Sequence, residues 1–312
     1  MPLSVAILGA GFIGGNLLRS CLERKYYVKV LDRNQCPAGL ADTVEWIQGS
    51  FADPEDVART VGGTDVIFHL ISNTVPGDPV DESEELFSNV FPTINLLKIC
   101  VKEKVKRIVF ISSSSVYGVR ARLPVLESDP TDPISSHGIH KLTIEKYLQL
   151  YNHAYDMECK IMRLSNPYGP GQSLYGRQGY IAMVVGWMKA GRPVLIRGDG
   201  TSIRDYLYID DVVQASHLLA LTDSKEVIFN IGSGLGVSVN QMLSEIEVIT
   251  GVKLRVKHVG VRKTDIPSSI LNISKARSIL GYSPSLSLKE GLSRMLAFNG
   301  IINGDDSRTR AD

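Results

Sequence analysis

The chain has 312 residues, of which 44% are hydrophobic and 21% charged, and its formal net charge is +1. That length suits one large domain or two modest ones with a sizeable core, and the composition is that of a globular protein rather than a disordered or fibrous one. A charge so close to balance argues against nucleic acid as a partner, and no window of roughly eighteen apolar residues predicts a membrane span.

Short apolar runs alternate with amphipathic stretches through the first half. The runs are Ser4 to Leu8, Tyr27 to Leu31, Val44 to Ile47, Val66 to Leu70, Arg107 to Ser112 and Lys160 to Leu164. Most are short and rich in Val and Ile, as strands buried on both faces should be. Helical periodicity fills Phe12 to Arg24, Ser83 to Glu103 and Ile139 to Tyr155. Strand–helix alternation of this kind predicts an α/β fold with a doubly wound parallel sheet. Past Asn166, glycine and proline become frequent. Strands are expected near Pro193 to Ile196 and Val227 to Ile231, and helices at Tyr180 to Ala190, Asp210 to Leu221, Val239 to Thr250 and Leu288 to Phe298. The division expected is a dinucleotide-binding domain over 1–165, a smaller discontinuous α/β lobe over 166–299 with segments returning to the sheet, and a polar tail without structure over 300–312. Four widely spaced cysteines, Cys21, Cys36, Cys100 and Cys159, form no C-x-x-C pair and read as reduced thiols. The N-terminus runs directly into a strand pattern without a leader-like segment, so a cytoplasmic enzyme is expected.

The first chemical signal is Gly9-Ala-Gly11-Phe-Ile-Gly14, set between a strand and a helix. Glycine permits the tight turn and a close backbone approach to a pyrophosphate. The N–H groups of Phe12, Ile13 and Gly14 at the helix start offer that anion donors and a partial positive charge. The flanking pattern makes the motif far more specific than the glycines alone. Asp32 ends the second strand, about 18 residues past the last glycine, where a carboxylate hydrogen-bonds a ribose 2′-hydroxyl and repels a 2′-phosphate. This favours NAD over NADP, although Arg33 could pair with a 2′-phosphate.

From these residues onward the chain resembles the nucleotide-sugar epimerase/dehydratase branch of the extended short-chain dehydrogenases, over roughly residues 4 to 297. The resemblance rests on ordered motifs: Leu8-Gly-Ala-Gly-Phe-Ile-Gly14, Phe68-His-Leu70, Asn89, Val109-Phe-Ile-Ser-Ser-Ser-Ser-Val-Tyr-Gly118, His137-Gly-Ile-His-Lys141, Arg163-Leu-Ser-Asn-Pro-Tyr-Gly-Pro170, Gly198-Asp-Gly200, Arg204-Asp-Tyr-Leu-Tyr-Ile-Asp-Asp211, Arg262 with Asp265, and Leu280-Gly-Tyr-Ser-Pro284. It implies a Rossmann-type sheet and NAD held by the glycine loop, Asp32, the loop Leu70 to Ser72, Lys141 and Tyr168. It implies a nucleotide-diphosphate sugar met by Asn166, Arg204 and Arg262, with Asp265 on the nucleotide ribose. Bidentate guanidinium groups suit a diphosphate. A homodimer through the helices Ser83 to Glu103 and Ile139 to Tyr155 is implied in the same way.

Three positions depart from the family pattern. Leu8 stands where a first glycine is usual. Gly49-Ser50-Phe51 replaces a Gly-Asp-hydrophobic triplet beside the adenine, with Ser50 still able to hydrogen-bond. Most consequentially, the family's Tyr-x-x-x-Lys pair has Lys141 but holds His137 in the tyrosine position, while Ser113 matches its Ser/Thr partner. In the family the lysine lowers the tyrosine pKa, the tyrosinate takes a proton from a sugar hydroxyl as hydride leaves the same carbon, and Ser/Thr bonds the reacting oxygen. Imidazole is a competent base, with an unperturbed pKa of about 6.5, and the Lys141 cation favours its neutral form. Its shorter reach could still cost rate, since a misplacement of about 1 Å can cost roughly 10²-fold. Three readings stay open: His137 is a working base in altered geometry, redox chemistry is lost with both ligands kept, or this chain carries a substitution at the site. His140 reads as an ordinary polar helix residue. In the related 4-epimerases the position four residues past the ribose acid limits the sugar C2 substituent; here it is the small Ser269, so the resemblance hints at a UDP-N-acetylhexosamine. The expected activity is therefore an NAD-dependent C4 epimerase, with a dehydratase, a 4-keto-sugar reductase or a non-catalytic NAD and nucleotide-sugar binder as alternatives.

Overall fold

The computed structural model describes residues 2–73 and 81–303. The chain enters through β1 (Ser4–Leu8), whose alternation sends Val5 and Ile7 into one buried cluster and Ala6 and Leu8 into another. There follow α1 (Phe12–Glu23), β2 (Tyr27–Asp32), β3 (Glu45–Gln48), α2 (Pro54–Val61) and β4 (Val66–His69). Next come α3 (Glu82–Glu85), a π-helical turn at Leu86–Val90, α4 (Phe91–Lys102), β5 (Arg107–Ser113), α5 (Ser136–Ala154) and β6 (Glu158–Leu164). The second half contains β7 (Asn166–Tyr168), α6 (Tyr180–Lys189), β8 (Val194–Arg197), β9 (Ile203–Arg204), β10 (Tyr206–Tyr208), α7 (Ile209–Leu221) and β11 (Ile228–Ile231). It closes with β12 (Val237–Ser238), α8 (Val239–Thr250), β13 (Val256–Val259), β14 (Ser268–Ser269), α9 (Ser274–Leu280) and α10 (Leu288–Phe298).

Seven parallel strands form the main sheet in the order β11-β6-β5-β4-β1-β2-β3. The two clusters of the core lie on its opposite faces, as the strand period requires: Phe68, Val109 and Ile111 on one side, Ile67, Ile108 and Phe110 on the other. Helices α1 and α7 pack together on one face, and α2, α4 and α5 share the other. Strand order reverses between β1 and β4, which leaves a crevice beyond the carboxyl ends of the strands. The expected doubly wound sheet is present, with β11 returning to it from the second half. The remaining strands make small ribbons: β10 with β7, β13 with β8, and β9 between β12 and β14.

Several local differences from the sequence reading have physical causes. The single helix expected from Ser83 to Glu103 is two helices joined by the π turn. Pro92 has no N–H to offer the preceding turn and its ring crowds the carbonyl there; a widened turn, closed by Phe91 N–H to Leu86 O, accommodates both. Helix α5 begins at Ser136 rather than Ile139, because Ser135 caps it by accepting the Gly138 N–H at 3.2 Å. His137 thus sits in its first turn. Of the tail expected to lack structure, Gly300 and Ile301 close α10 through N–H bonds to Ala297 O and Leu296 O, both 2.9 Å, and Ile301 and Ile302 pack against the core. Residues 304–312 of that tail lie outside the described residues.

Candidate active site

The crevice is a cleft of about 1370 Å³. Every residue singled out from the sequence as a ligand or catalytic group lines it, from Gly9 in the first loop to Ser269 in β14. The dinucleotide end is built by the β1–α1 turn. Gly9 takes φ +92, a conformation that favours glycine. A Cβ on Gly14 would lie 1.9 Å from Gly9 O, so the loop closes only without one. A Cβ on Gly11 would meet nothing within 4 Å and would project into open space. Gly11 is also the N-cap of α1 and supplies no side-chain cap, which leaves the first N–H groups of the helix to an external acceptor. These features fit the pyrophosphate of a dinucleotide.

Asp32 is fixed at the end of β2. Its Oδ2 accepts Ala10 N–H at 2.7 Å and its Oδ1 accepts Asn34 N–H at 2.8 Å and Asn34 Nδ2 at 2.9 Å. This fastens Asp32 to the glycine turn, with Arg33 beside it in the cleft wall. Further along, Ser50 N–H bonds Asp56 Oδ2 at 2.9 Å and Ser50 Oγ accepts Ala52 N–H at 3.2 Å, while the Phe51 ring lies 4.9 Å from that of His69. Leu70 and Ser72, after β4, form the facing wall.

Midway, two elements, β5 and α5, bring Ser113, His137 and Lys141 together. Ser113 ends β5, and its Oγ accepts Ser115 N–H at 3.1 Å and Ser115 Oγ–H at 2.9 Å. With two bonds accepted, its own proton remains to be donated. Lys141 is buried, gives one proton to Ile111 O at 2.7 Å and lies 4.7 Å from the Phe110 ring centre. Burial pushes its ammonium down to about 8 against the pull of Glu145. His137, one turn earlier on the same helix and 7% exposed, is pushed down to about 3 by burial, then by the charges of Lys141 and His140. Its imidazole is neutral at neutral pH.

The far end is cationic. Arg204 ends β9 and donates to Ile203 O at 2.8 Å and Pro267 O at 3.3 Å; among the described residues no carboxylate forms an ion pair with it. Burial works against its charge, partly offset by Tyr206 and Asp265. Its neighbour Asp205 anchors this corner by accepting from Ser233 N–H and Oγ at 2.7 Å and from Gly234 and Leu271 N–H at 3.2 Å. Register pairing sets Ser269 opposite Arg204. Arg262 instead pairs with Asp265, at 2.9 Å from Nη2 and 3.0 Å from Nε. Burial raises the Asp265 pKa, but the Arg262 N–H and guanidinium, with Arg197, hold it below the usual range. Asn166 gives its amide proton to Asp205 O at 3.0 Å on the cleft wall. Tyr168 also borders the cleft, yet its hydroxyl donates to Leu288 O at 3.3 Å, against α10, so only its ring and backbone are offered to a ligand.

Two further features escaped the sequence reading. Arg163, part of a ligand-like motif, is a structural residue. It forms a buried ion pair with Glu145 at 2.7 Å and bonds Tyr117 Oη at 2.9 Å, which in turn donates to Asn230 Oδ1 at 2.7 Å. This network ties the 3-10 turn Ser114–Tyr117, β6, α5 and β11 together. Tyr180 and Trp187 of α6 and Arg197 of β8 also line the cleft; their spacing on an apolar helix and strand carries no signal distinguishing a wall from a core.

The sequence profile of the NAD dependent epimerase/dehydratase family matches residues 5–232. A UDP-glucose 4-epimerase of Mycolicibacterium smegmatis is 30% identical over 299 residues, covering 93% of this chain and 96% of its own. The structure of Thermotoga maritima UDP-glucose 4-epimerase with UDP-glucose superposes with a TM-score of 0.88 at 31% identity, covering 94% of this chain and 97% of that one. Bacillus cereus UDP-glucuronic acid 4-epimerase, solved with UDP-glucuronic acid and NAD, gives a TM-score of 0.87 at 25% identity, covering 96% and 99%.

Proposed function

The chain belongs to the NAD dependent epimerase/dehydratase family, and from that premise we propose that it inverts carbon 4 of a UDP-sugar. The observation that carries this reading is that the anion cradle at Gly11, the cation Arg204, which forms no ion pair among the described residues, and the trio Ser113, His137 and Lys141 share one cleft. NAD supplies the hydride acceptor. Residues 1–165 hold it, through the glycine turn, Asp32 and Lys141, whose remaining protons are free for the nicotinamide ribose. Residues 166–299 hold the UDP-sugar, with Arg204 and Arg262 on the diphosphate, Asn166 beside them and Asp265 on the ribose. Ser113 donates to the sugar O4 and neutral His137 accepts its proton. Ser269 leaves room beside the C2 substituent, which suits a 2-acetamido sugar.

The same family premise supports a homodimer. Phe87, Phe91, Ile139 and Leu150, on the π turn, α4 and α5, present an apolar surface, Phe87 being 65% exposed. No helix of the described residues is long and apolar enough to cross a membrane. Four free cysteines, three of them buried, support a reducing cytoplasm.

The test is incubation with NAD and UDP-glucose, UDP-N-acetylglucosamine or UDP-glucuronic acid, followed by NMR of the products. Inversion at C4 is expected for at least one. His137→Phe should abolish it with both ligands still bound, and His137→Tyr should raise it. Undiminished turnover in His137→Phe overturns the role of the imidazole. Binding of both ligands with no turnover of any sugar overturns the epimerase in favour of a binding protein.

A further inference from the structure

One turn beyond His137 on α5 lies a second imidazole with an acid near it. His140 is 6% exposed, and its Nδ1, which makes no hydrogen bond among the described residues, lies 3.5 Å from Oε2 of Glu85, itself 3% exposed. Glu85 ends α3, where its backbone carbonyl accepts Asn89 Nδ2 and its carboxylate accepts the hydroxyl of Ser136. Among the described residues His140 is the one group in an ion pair with Glu85. Burying a carboxylate beside an imidazole is costly and adds little net stability, so such a pair next to a reacting centre calls for a role. Glu85, from α3, acts on His140, while Lys141 and His140, both from α5 itself, act on His137.

The geometry also resolves a difficulty. A proton that stayed on His137 would make an imidazolium beside the buried Lys141 ammonium, where like charges repel strongly. A carboxylate beside His140 Nδ1 favours the tautomer protonated there, which leaves Nε2 as the acceptor. We propose that Glu85 and His140 form a buried proton-holding pair for His137, so that the proton lifted from the sugar O4 is passed through neutral imidazoles to the Glu85 carboxylate and returned by the same route. His137 accepts the O4 proton on one ring nitrogen and releases the proton of the other to His140 Nε2. His140 in turn releases its Nδ1 proton to Glu85. One O–H bond breaks at the sugar, one forms at Glu85, and each imidazole ends neutral; the C4 hydride follows the reaction proposed above. In this scheme Glu85 and His140 are positioning residues that act through His137.

The inference rests on the epimerase reading for its kinetic part and on the free protein for the rest. In the ¹⁵N spectrum of the full chain without ligands, His140 should carry its proton on Nδ1, and Glu85→Gln should remove that preference. In turnover, Glu85→Gln should lower kcat by roughly 10²-fold, in the range of lost acid–base catalysis, leave KM within about three-fold and shift the acidic limb of the pH profile; Glu85→Asp should recover part of kcat. A folded Glu85→Gln protein with wild-type kcat and pH profile, or a wild-type His140 protonated on Nε2, overturns the inference. If the wild type converts no sugar, the epimerase reading falls, and the nitrogen spectrum still decides the pair.

Discussion

Acidification from pH 7.5 to 5 should destabilise this protein through three histidines buried in the neutral form. His69 and His137 are pushed down to about 3 and His217 to about 4, in each case first by burial and then by a neighbouring cation: Lys141 for the first two and Arg24 for His217. All three side chains are buried. The unfolded chain binds these protons near pH 6.5 and the folded chain does not. Stability is therefore complete above about 6.5 and is lost as pH falls toward the folded values. At pH 5 each group sits about 1.5 units below its unfolded titration, which costs about 2 kcal/mol per histidine and about 6 kcal/mol in all. That total changes little for any folded value below about 4. His140, also lowered by burial although Glu85 opposes it, adds in the same direction. Urea denaturation at pH 7.5, 6 and 5 measures the effect, and His217→Gln, remote from the cleft, should remove about a third of the slope. A flat stability between pH 7.5 and 5, or an unaltered slope in His217→Gln, would refute the reasoning.

Gly11→Ala and Gly14→Ala should separate ligand binding from folding. The first adds a methyl to open space and should leave the melting temperature unchanged while calorimetric NAD affinity drops at least about ten-fold. The second meets Gly9 O at 1.9 Å and should lower the melting temperature as well. Arg204→Ala should weaken UDP binding by about 10- to 150-fold, the worth of about 1.5–3 kcal/mol for bonds to a charged group, with NAD affinity kept. Glu145→Gln, which strips the buried Arg163 guanidinium of its charge partner, should cost about 3–5 kcal/mol in urea denaturation.

The sheet was legible because buried parallel strands are nearly continuous runs of Val, Ile and Leu, and the glycine turn and Asp32 because their spacing follows from the geometry of one β–α–β unit. Helix α2 was missed: it is short and turns only Val57, Thr60 and Val61 inward, although Asp53 as cap and Pro54 in the first turn marked its start. Helix α9 buries only Ala276 and Leu280, too few for a period to emerge. Two-residue strands such as β9 and β14 exist only by pairing, β9 with both β12 and β14, so nothing local announces them. Glu85 lies in the acidic run Asp81 to Glu85, which reads as a solvated helix start; packing against α5 is what buries it. Arg163 carried no assigned role in its motif because a charged strand residue has no visible partner until Glu145, from another element, arrives beside it.

The most direct test of two ligands meeting in one cleft is an interligand NOE between the nicotinamide H4 and the sugar H4, recorded with NAD and a UDP-sugar bound together to the His137→Phe protein. A strong cross-peak, lost in Arg204→Ala when the UDP-sugar no longer binds, is the result predicted. Simultaneous binding without a cross-peak, or displacement of one ligand by the other, would contradict it.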